Sequence, residues 1–336
     1  MFCFLRYFKI LCTIPDELSA SLDMSLKSLY LFLGLLFGLN LLHAEDSVEE
    51  SFSKSFPSGD IESIRVGADR SEVNVIGEYR EDVYITWKID YRTESLEKVS
   101  DERAKIEYDA QVRNKQCLIT LKYGGSNSGW SWVWGDKAPG IEIEVRVPEA
   151  MDVVVKTSGG EISVENIQGM CDLKTSGGRI ELEGIVGNVK AKTSGGRIDV
   201  ESVDGDLDIA SSGGAIDVDG VTGTVNAQTS GGSISIEGGS GQIVAETTGG
   251  SISVECPDPS LERLDLNTMG GSIRIELAKS AGGSAELKTQ GGSVSIDNHW
   301  AFDGEKKRSY ANGAFGSGKT VVRAYTLGGS VRLDTL

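Results

Sequence analysis

The sequence predicts an all-β chain whose larger part is a parallel β-solenoid of about nine two-strand coils, each 18–21 residues long. Three observations predict this fold. Gly-Gly pairs recur every 18 residues from Gly159 to Gly249, and apolar residues alternate with polar ones between the pairs. Glycine is frequent, at 43 residues, while proline is scarce, at 6. Because tight corners favour glycine and a period of two favours strands, we expect short strands joined by sharp corners.

The repeat unit reads T-S-G-G-x-I-x-V-E-x-I-x-G-x-V-x-A-x, with the threonine as position 1. Positions 6 and 8 are aliphatic, as in Ile180 and Leu182, and positions 15 and 17 are apolar, as in Val189 and Ala191. The Gly-Gly corner and the glycine at position 13 separate these two strands. A single coil cannot bury its apolar face alone, so we expect coils to stack about 4.8 Å apart. The in-register pairs begin at Gly159, Gly177, Gly195, Gly213, Gly231, Gly249, Gly270, Gly291 and Gly328.

The alternation also predicts which way the threonines of position 1 point. Counted from the apolar positions, they face inward, where stacked hydroxyls are expected to hydrogen-bond to one another along the solenoid. Cys171 falls at position 15 and is expected to be a small core residue. The threonine row consists of Thr157, Thr175, Thr193, Thr229, Thr247, Thr268, Thr289 and Thr326.

Two other repeat architectures do not fit this pattern. A left-handed hexapeptide helix needs an aliphatic residue every six positions, and a calcium roll needs the nonapeptide G-G-x-G-x-D; the chain has neither. The TSGGxIxV repeats, led by the segment Ile141 to Pro148, resemble the bacterial "putative adhesin" family of Gly-Gly β-strand repeat proteins. The resemblance covers residues 55–336. It implies the β-solenoid fold and supplies neither a known ligand nor catalytic residues.

Ahead of the repeats, residues 56–150 are predicted to form a β-rich N-terminal region that caps the first coil, since solenoids need atypical terminal units. Residues 45–55 are expected to be a flexible mature N-terminus. The solenoid itself is placed at 151–336, with an insertion at 298–320. The strands predicted in the capping region are Ile64 to Val66, Val73 to Ile76, Val83 to Trp87, Cys117 to Leu121 and Ile141 to Val147.

The start of the chain predicts export. Lys27 precedes an apolar run from Tyr30 to Leu42, which is followed by a small residue, Ala44, and then by acidic chain. This is typical of a secretory signal peptide at residues 24–44, with cleavage after Ala44 and no membrane anchor once it is removed. Residues 1–23 are interpreted as a leader ahead of the true initiator, Met24. The mature protein is therefore expected in the periplasm, outside the cell or on its surface.

Composition argues against several functions. A net charge of −17 disfavours nucleic acid as a partner. After signal removal one histidine, His299, and three cysteines remain, which disfavours histidine-based metal sites and Ser-His or Cys-His catalysis.

The segment from Gly313 to Thr320 matches the P-loop pattern, but no apolar strand leads into it and a strand pattern follows where a helix is needed. We therefore expect no nucleotide binding.

An acidic residue at position 9 of every unit is the first candidate ligand site. Carboxylates in a column could bind Ca²⁺ or a cationic partner; alternatively, each stands at a solvated corner and caps turn amides. The column continues in Glu276, Asp297 and Asp334. The predicted metal ligands are Glu165, Glu183, Glu201, Asp219, Glu237 and Glu255.

A row of tryptophans is the second candidate site. Trp130, Trp132 and Trp134 alternate along one predicted strand and therefore share a face. Indole rings in a row suit the faces of sugar rings, whereas the alternative is an apolar cover over the solenoid.

These observations together predict a non-enzymatic, exported protein of the cell envelope, either adhesin-like or structural. A surface glycan, an envelope protein or cations are its expected partners. The alternative is a β-helical enzyme that degrades polysaccharide. Glycoside hydrolases use a pair of carboxyl groups across a cleft, and here the carboxylates form a column instead.

Overall fold

The computed structural model describes residues 47–93, 95–124 and 138–336. Within these ranges the chain forms 27 strands, one α-helix and one short 3₁₀ turn. The strands make two sheets, sheet A with 13 strands and sheet B with 14. The predicted all-β solenoid is confirmed. The predicted leader, signal peptide and tryptophan row lie outside the described residues.

The N-terminal region carries the five predicted strands and two more. Helix α1 (Leu96–Arg103) begins after Ser95, whose hydroxyl accepts a hydrogen bond from the amide of Lys98. A 3₁₀ turn spans Ser58–Asp60. The strands are β1 (Glu49–Pro57), β2 (Ser63–Ala68), β3 (Glu72–Glu78), β4 (Asp82–Asp90), β5 (Ile106–Arg113), β6 (Gln116–Tyr123) and β7 (Gly140–Pro148).

The expectation of a flexible segment at residues 45–55 is wrong for β1. This strand pairs antiparallel with β4 along its full length, from Glu49 opposite Asp90 to Pro57 opposite Asp82. Phe52 and Phe56 alternate with polar residues and pack against the core. Their period of two is short and mixed with serines and charges, so it is a weak strand signal in the sequence.

The repeats contribute the remaining strands, which alternate between sheet B and sheet A. In the regular part they are β8 (Asp152–Thr157), β9 (Ile162–Glu165), β10 (Cys171–Lys174), β11 (Ile180–Val186), β12 (Val189–Thr193), β13 (Ile198–Asp204), β14 (Leu207–Ser211), β15 (Ile216–Val221), β16 (Val225–Thr229), β17 (Ile234–Glu237), β18 (Gln242–Thr247), β19 (Ile252–Cys256), β20 (Arg263–Thr268) and β21 (Ile273–Leu277). At the C-terminal end they are β22 (Gly283–Thr289), β23 (Val294–Ile296), β24 (Asp303–Lys307), β25 (Tyr310–Phe315), β26 (Thr320–Thr326) and β27 (Val331–Thr335).

Consecutive coils stack in parallel and in the register of the repeat. In sheet A, Ile180 lies between Ile162 and Ile198, and in sheet B, Ala191 lies between Leu173 and Ile209. All six side chains are fully buried, with relative exposure of 0 %. Aliphatic side chains from both sheets therefore form one continuous core along the solenoid.

The C-terminal coils do not stack in the order of the chain. The last coil, β26 and β27, lies between the coil of β20 and β21 and the coil of β22 and β23. The hairpin of β24 and β25, which is the insertion predicted at residues 298–320, pairs antiparallel with β22 and ends sheet B. The N-terminal end is similar, because β2 and β3 lie between β6–β7 and β8–β9.

The threonines of position 1 point inward as predicted, but their hydroxyls do not bond to one another. Thr193 donates to the carbonyl oxygen of Gly178 in the preceding coil at 3.0 Å and accepts from the amide of Gly196 in its own coil at 3.1 Å. Ser211, which takes the place of threonine in the next unit, makes the same two bonds at 2.9 Å. Stacked coils bring each hydroxyl to the glycine backbone before it reaches another hydroxyl, so the expected partner was wrong.

The same contact explains the second glycine of each pair. A Cβ at Gly196 would lie 1.8 Å from the carbonyl oxygen of Gly178, whereas a Cβ at Gly195 would have its nearest neighbour at 3.8 Å. Close approach of neighbouring coils therefore excludes a side chain at the second position of the pairs and leaves room at the first position in the coils of Gly159 to Gly213. Neither glycine needs a left-handed backbone there.

None of the helices in the described ranges has the length and hydropathy that a membrane span requires.

Candidate functional site

The residues of position 9 form one column on the outer face of sheet A, here called the acid row. Strand pairing places Glu183 between Glu165 and Glu201, and the column continues coil by coil. The inserted last coil keeps the pattern, because Asp334 pairs with Glu276. In spatial order the acid row is Glu165, Glu183, Glu201, Asp219, Glu237, Glu255, Glu276, Asp334 and Asp297.

The backbone bends directly after position 9, so each carboxylate of the acid row stands beside a bend. Position 10 has a left-handed conformation in successive coils, with φ of 56° at Asn166, 65° at Gly184, 60° at Ser202 and 70° at Gly220. Glycine and small polar residues tolerate this conformation best. The chain turns sharply there, so each carboxylate lies just before the turn and faces solvent, and in β11, β13 and β15 the pairing resumes after the turn.

The six carboxylates predicted as metal ligands, Glu165 to Glu255, have no hydrogen bond or ion pair to any other described side chain or backbone group. The other three members do have partners. Glu276 and Asp334 lie 3.3 Å and 3.7 Å from arginines of their own strands. Asp297 accepts from the amide of His299 at 2.9 Å and from the hydroxyl of Thr335 at 2.7 Å. The alternative of turn capping therefore applies, within the described ranges, to Asp297.

A shallow groove of about 370 Å³ runs beside the middle of the acid row. A second acidic column, at position 7, forms its other wall. Arg179 and Arg197 cross this column: Arg179 lies 2.6 Å from Asp199, and Arg197 lies 2.5 Å from Asp199 and 2.8 Å from Asp217. One wall thus carries a connected ion-pair network, and the other carries the unpartnered carboxylates of Glu183, Glu201, Asp219 and Glu237.

Electrostatics in the groove favour cations. Burial raises the pKa of Asp217 above its usual value, with Arg197 opposing the shift and Asp199 adding to it. Like charges repeated at strand spacing repel one another, so a cation placed between them would relieve that repulsion. Among the residues described, no group of three or more His, Cys, Asp or Glu side chains is arranged to hold a single metal ion. The row therefore offers carboxylates one after another along a line.

The other candidates predicted from the sequence are Cys171, the P-loop match and the tryptophan row. Cys171 is buried, and burial raises the pKa of its thiol to about 12, so it is a core residue as predicted. The P-loop match ends in strand β26, with no helix after it. The hydroxyl of Thr320 donates to the carbonyl oxygen of Leu261 at 2.8 Å within the core. Trp130, Trp132 and Trp134 lie outside the described residues, so the glycan platform stays a prediction.

Two features of the site were missed from sequence. The arginines at position 5 bridge neighbouring coils, and in other coils serine takes their place: the amide of Ser251 donates to the hydroxyl of Ser233 at 3.2 Å. The recurrence of Arg179 and Arg197 at an interval of 18 residues, two positions before an acid, was the signal that could have found the network.

The fold and the site define a parallel β-solenoid of the Gly-Gly repeat type with an acidic outer face. The chain belongs to the Toastrack DUF4097 family, whose sequence model matches residues 61–334. The resemblance drawn from the repeats is thereby confirmed. No curated protein matches the chain.

Several solved structures are similar at low identity. A "putative adhesin" from Bacteroides fragilis is 14 % identical, over 67 % of this chain and 97 % of that one, with a TM-score of 0.46. A "putative cell adhesion protein" from Clostridium sporogenes is 15 % identical, over 87 % and 100 %, with a TM-score of 0.24. A "putative lipid binding protein" from Parabacteroides distasonis is 13 % identical, over 85 % and 97 %, with a TM-score of 0.31. These names describe those proteins, and at such scores they carry no argument about this one.

Proposed function

We propose that this chain is an exported, non-enzymatic, adhesin-like rod of the cell envelope that binds cationic ligands, Ca²⁺ among them, through its acid row. One observation carries the proposal: six carboxylates, from Glu165 to Glu255, stand in a column without partners among the described residues. A fold tolerates such a column of like charges more easily when a ligand neutralises it.

The shape of the site supports binding rather than catalysis. The groove is shallow and open, and the carboxylates of both its walls repeat coil by coil instead of forming one pair across a deep cleft. Ca²⁺ accepts six to eight oxygen ligands in flexible geometry and readily completes its shell with water. A cation could therefore bridge two neighbouring carboxylates of the row while remaining partly hydrated.

Export is the second part of the proposal and rests on the sequence of residues 24–44. The apolar run, the basic residue before it and the small residue at Ala44 support a cleaved signal peptide. The buried state of Cys117, Cys171 and Cys256, each a free thiol, is compatible with an oxidising compartment because no pair of them is available for exchange on the surface.

Calcium-dependent thermal unfolding tests the proposal. Calcium is expected to raise the midpoint of unfolding of the protein, and the triple variant Glu183→Gln, Glu201→Gln, Asp219→Asn is expected to lose most of this shift. A matched control on sheet B, Asp172→Asn, Asp208→Asn, Glu246→Gln, removes the same charge and should keep it. An unmoved midpoint in the unchanged protein, or equal responses of the two variants, would refute cation binding by the row.

A further inference from the structure

Sheet B carries a short column of the opposite charge, here called the lysine row. Lys174 on β10 lies directly between Lys156 on β8 and Lys192 on β12. All three side chains are exposed and alternate with buried core residues, so they project from the outer face. Lys192 lies 4.0 Å from Asp208, whereas Lys156 and Lys174 have no ion pair with any described residue.

This column needs an explanation, because neighbouring like charges on a sheet are destabilising. In a chain with a net charge of −17, three aligned lysines, of which Lys192 alone has an ion pair with a described residue, are a local concentration of positive charge. They occupy the same coils whose sheet A strands carry Glu165, Glu183 and Glu201. At this height the acid row on one face is thus opposed by the lysine row on the other face, which also carries Asp172 and Asp208.

The two rows have the same period. Each contributes one charge per 18-residue coil, and stacked coils repeat at the strand spacing of about 4.8 Å. Lysines of one molecule can therefore meet carboxylates of another one for one, with no adaptation of either backbone. We propose that a second copy of this chain docks face to face, with the acid row of one molecule on the lysine row of the other.

The position of the rows fixes how the two copies are oriented. The acid row lies on sheet A just before the left-handed turn, while the lysine row lies on sheet B just before the Gly-Gly corner. The strands of the two sheets run in opposite directions around a coil, so the rows lie at opposite margins of the rod. They coincide only when the two rods lie antiparallel. The contact uses different faces of the two copies, so it repeats and builds a stack.

The strength of this contact is expected to depend on the salt concentration. At low ionic strength the net negative charge of each copy opposes approach, because screening is weak and the repulsion extends over about 30 Å at 0.01 M. Near 0.15 M the Debye length is about 8 Å, so the facing rows still attract while distant charges are screened. At about 1 M salt the rows themselves are screened. Association is therefore expected to be strongest at intermediate salt.

The inference rests on the acid row of the proposed function, and charge reversal tests it by sedimentation velocity over a range of protein concentrations. The unchanged protein should self-associate near 0.15 M salt. The variant Lys156→Glu, Lys174→Glu, Lys192→Glu and the variant Glu183→Lys, Glu201→Lys, Asp219→Lys should each associate on the order of 100-fold more weakly. An equimolar mixture of the two variants restores opposite charges at every contact and should recover the association.

Controls separate this contact from general charge effects. The variant Lys98→Glu, Lys122→Glu, Lys319→Glu makes the same charge change away from the lysine row and should self-associate as the unchanged protein does. If the triple lysine variant does not fold, Lys174→Glu alone replaces it. The lysine variant should keep its calcium response, which distinguishes failure of the stack from failure of the proposed function. A protein that is monomeric at all concentrations and salts, or a mixture that stays monomeric, would overturn the inference.

Discussion

The regular coils from Ile162 to Leu277 and the C-terminal coils from Gly283 to Thr335 use the same residues at the same positions but are connected differently. In the regular coils each unit stacks on the one before it in the chain. At the C-terminal end the last unit is inserted one place inward, and the unit before it becomes the end of the stack. Local pattern therefore sets the register of a coil, while its place in the stack depends on what flanks it.

The flanking element at this end is the hairpin of β24 and β25. It pairs with β22, whose other side is occupied by β26, and the edge contact of Trp300 with Phe315 packs the hairpin, with ring centroids 5.1 Å apart. A coil that carries such a hairpin has a covered sheet edge and suits the end of the rod. The last coil has no such cover and is better placed between two others.

Two deletions should separate these regions most strongly. Removing residues 194–211 joins Thr193 to Ser212 and deletes one whole unit, so the rod should shorten by about 4.8 Å and unfold cooperatively. Removing residues 320–336 deletes the inserted coil and the buried Val322, Ala324, Val331 and Leu333. Loss of this burial is expected to destabilise the C-terminal end by roughly 6 kcal/mol. Urea unfolding with scattering in solution measures both effects, and equal stability of the two deletions would contradict the comparison.

The Gly-Gly corner gives the next largest effect. Gly196→Ala places a methyl group against the carbonyl oxygen of Gly178, so we expect a loss of about 3 kcal/mol or more. Gly195→Ala has room for the same methyl group and should change stability by less than about 1 kcal/mol. Thermal unfolding of the two variants checks this difference. Similar losses would show that the corner is not limited by contact between coils.

The buried hydroxyl of position 1 should have a smaller effect. Thr193→Val keeps the shape of the side chain but leaves the carbonyl of Gly178 and the amide of Gly196 without their partner, which is expected to reduce stability by about 2 kcal/mol. Thr193→Ser should be close to neutral, because Ser211 already makes both bonds in its own coil. Chemical denaturation measures both, and a neutral valine variant would remove the hydroxyl relay as a source of stability.

The smallest effect expected is a difference in pH dependence between the N-terminal region and the coils. A hydrogen bond from Ser55 lowers the pKa of Asp82 below its usual 3.8, and hydrogen bonds from Arg146 and Lys88 lower the pKa of Glu144 below 4.5. The stability that these two carboxyl groups contribute is present above their unfolded-state pKa and is lost as the pH falls through the lower folded-state value.

Two partly buried carboxyl groups of the coils have pKa shifts of the opposite sign. Burial raises the pKa of Asp217 and of Glu161, so their ionised forms are disfavoured in the folded protein. This penalty is present at neutral pH and is relieved as the pH falls through the raised values. Mild acidification should therefore first favour the coils and then weaken the N-terminal region. Hydrogen exchange at pH 7, 5 and 3, corrected for intrinsic rates, measures protection in the two regions; parallel changes would contradict this.

The sequence was sufficient to predict the structure of a single coil, but not the order in which the coils stack. Alternation predicted the inward threonines, the buried Cys171 and the outward acid row, because side-chain direction follows directly from a period of two. It did not predict the inserted last coil, because every unit carries the same register pattern and so fits beside any other. Helix α1 and strand β5 were not predicted. The helix, Leu96–Arg103, is short and highly charged, and Val99 is its one buried residue.

The hydroxyl relay at position 1 has a direction. All nine hydroxyls, from Thr157 to Thr289 in spatial order, donate toward the N-terminal end of the rod, and the inserted coil keeps the same sense. Aligned hydrogen bonds polarise one another, so their dipoles add along the axis, with the positive pole at the N-terminal end. The interior of the rod is thus an electrical dipole along its axis, built by hydroxyl groups that carry no formal charge.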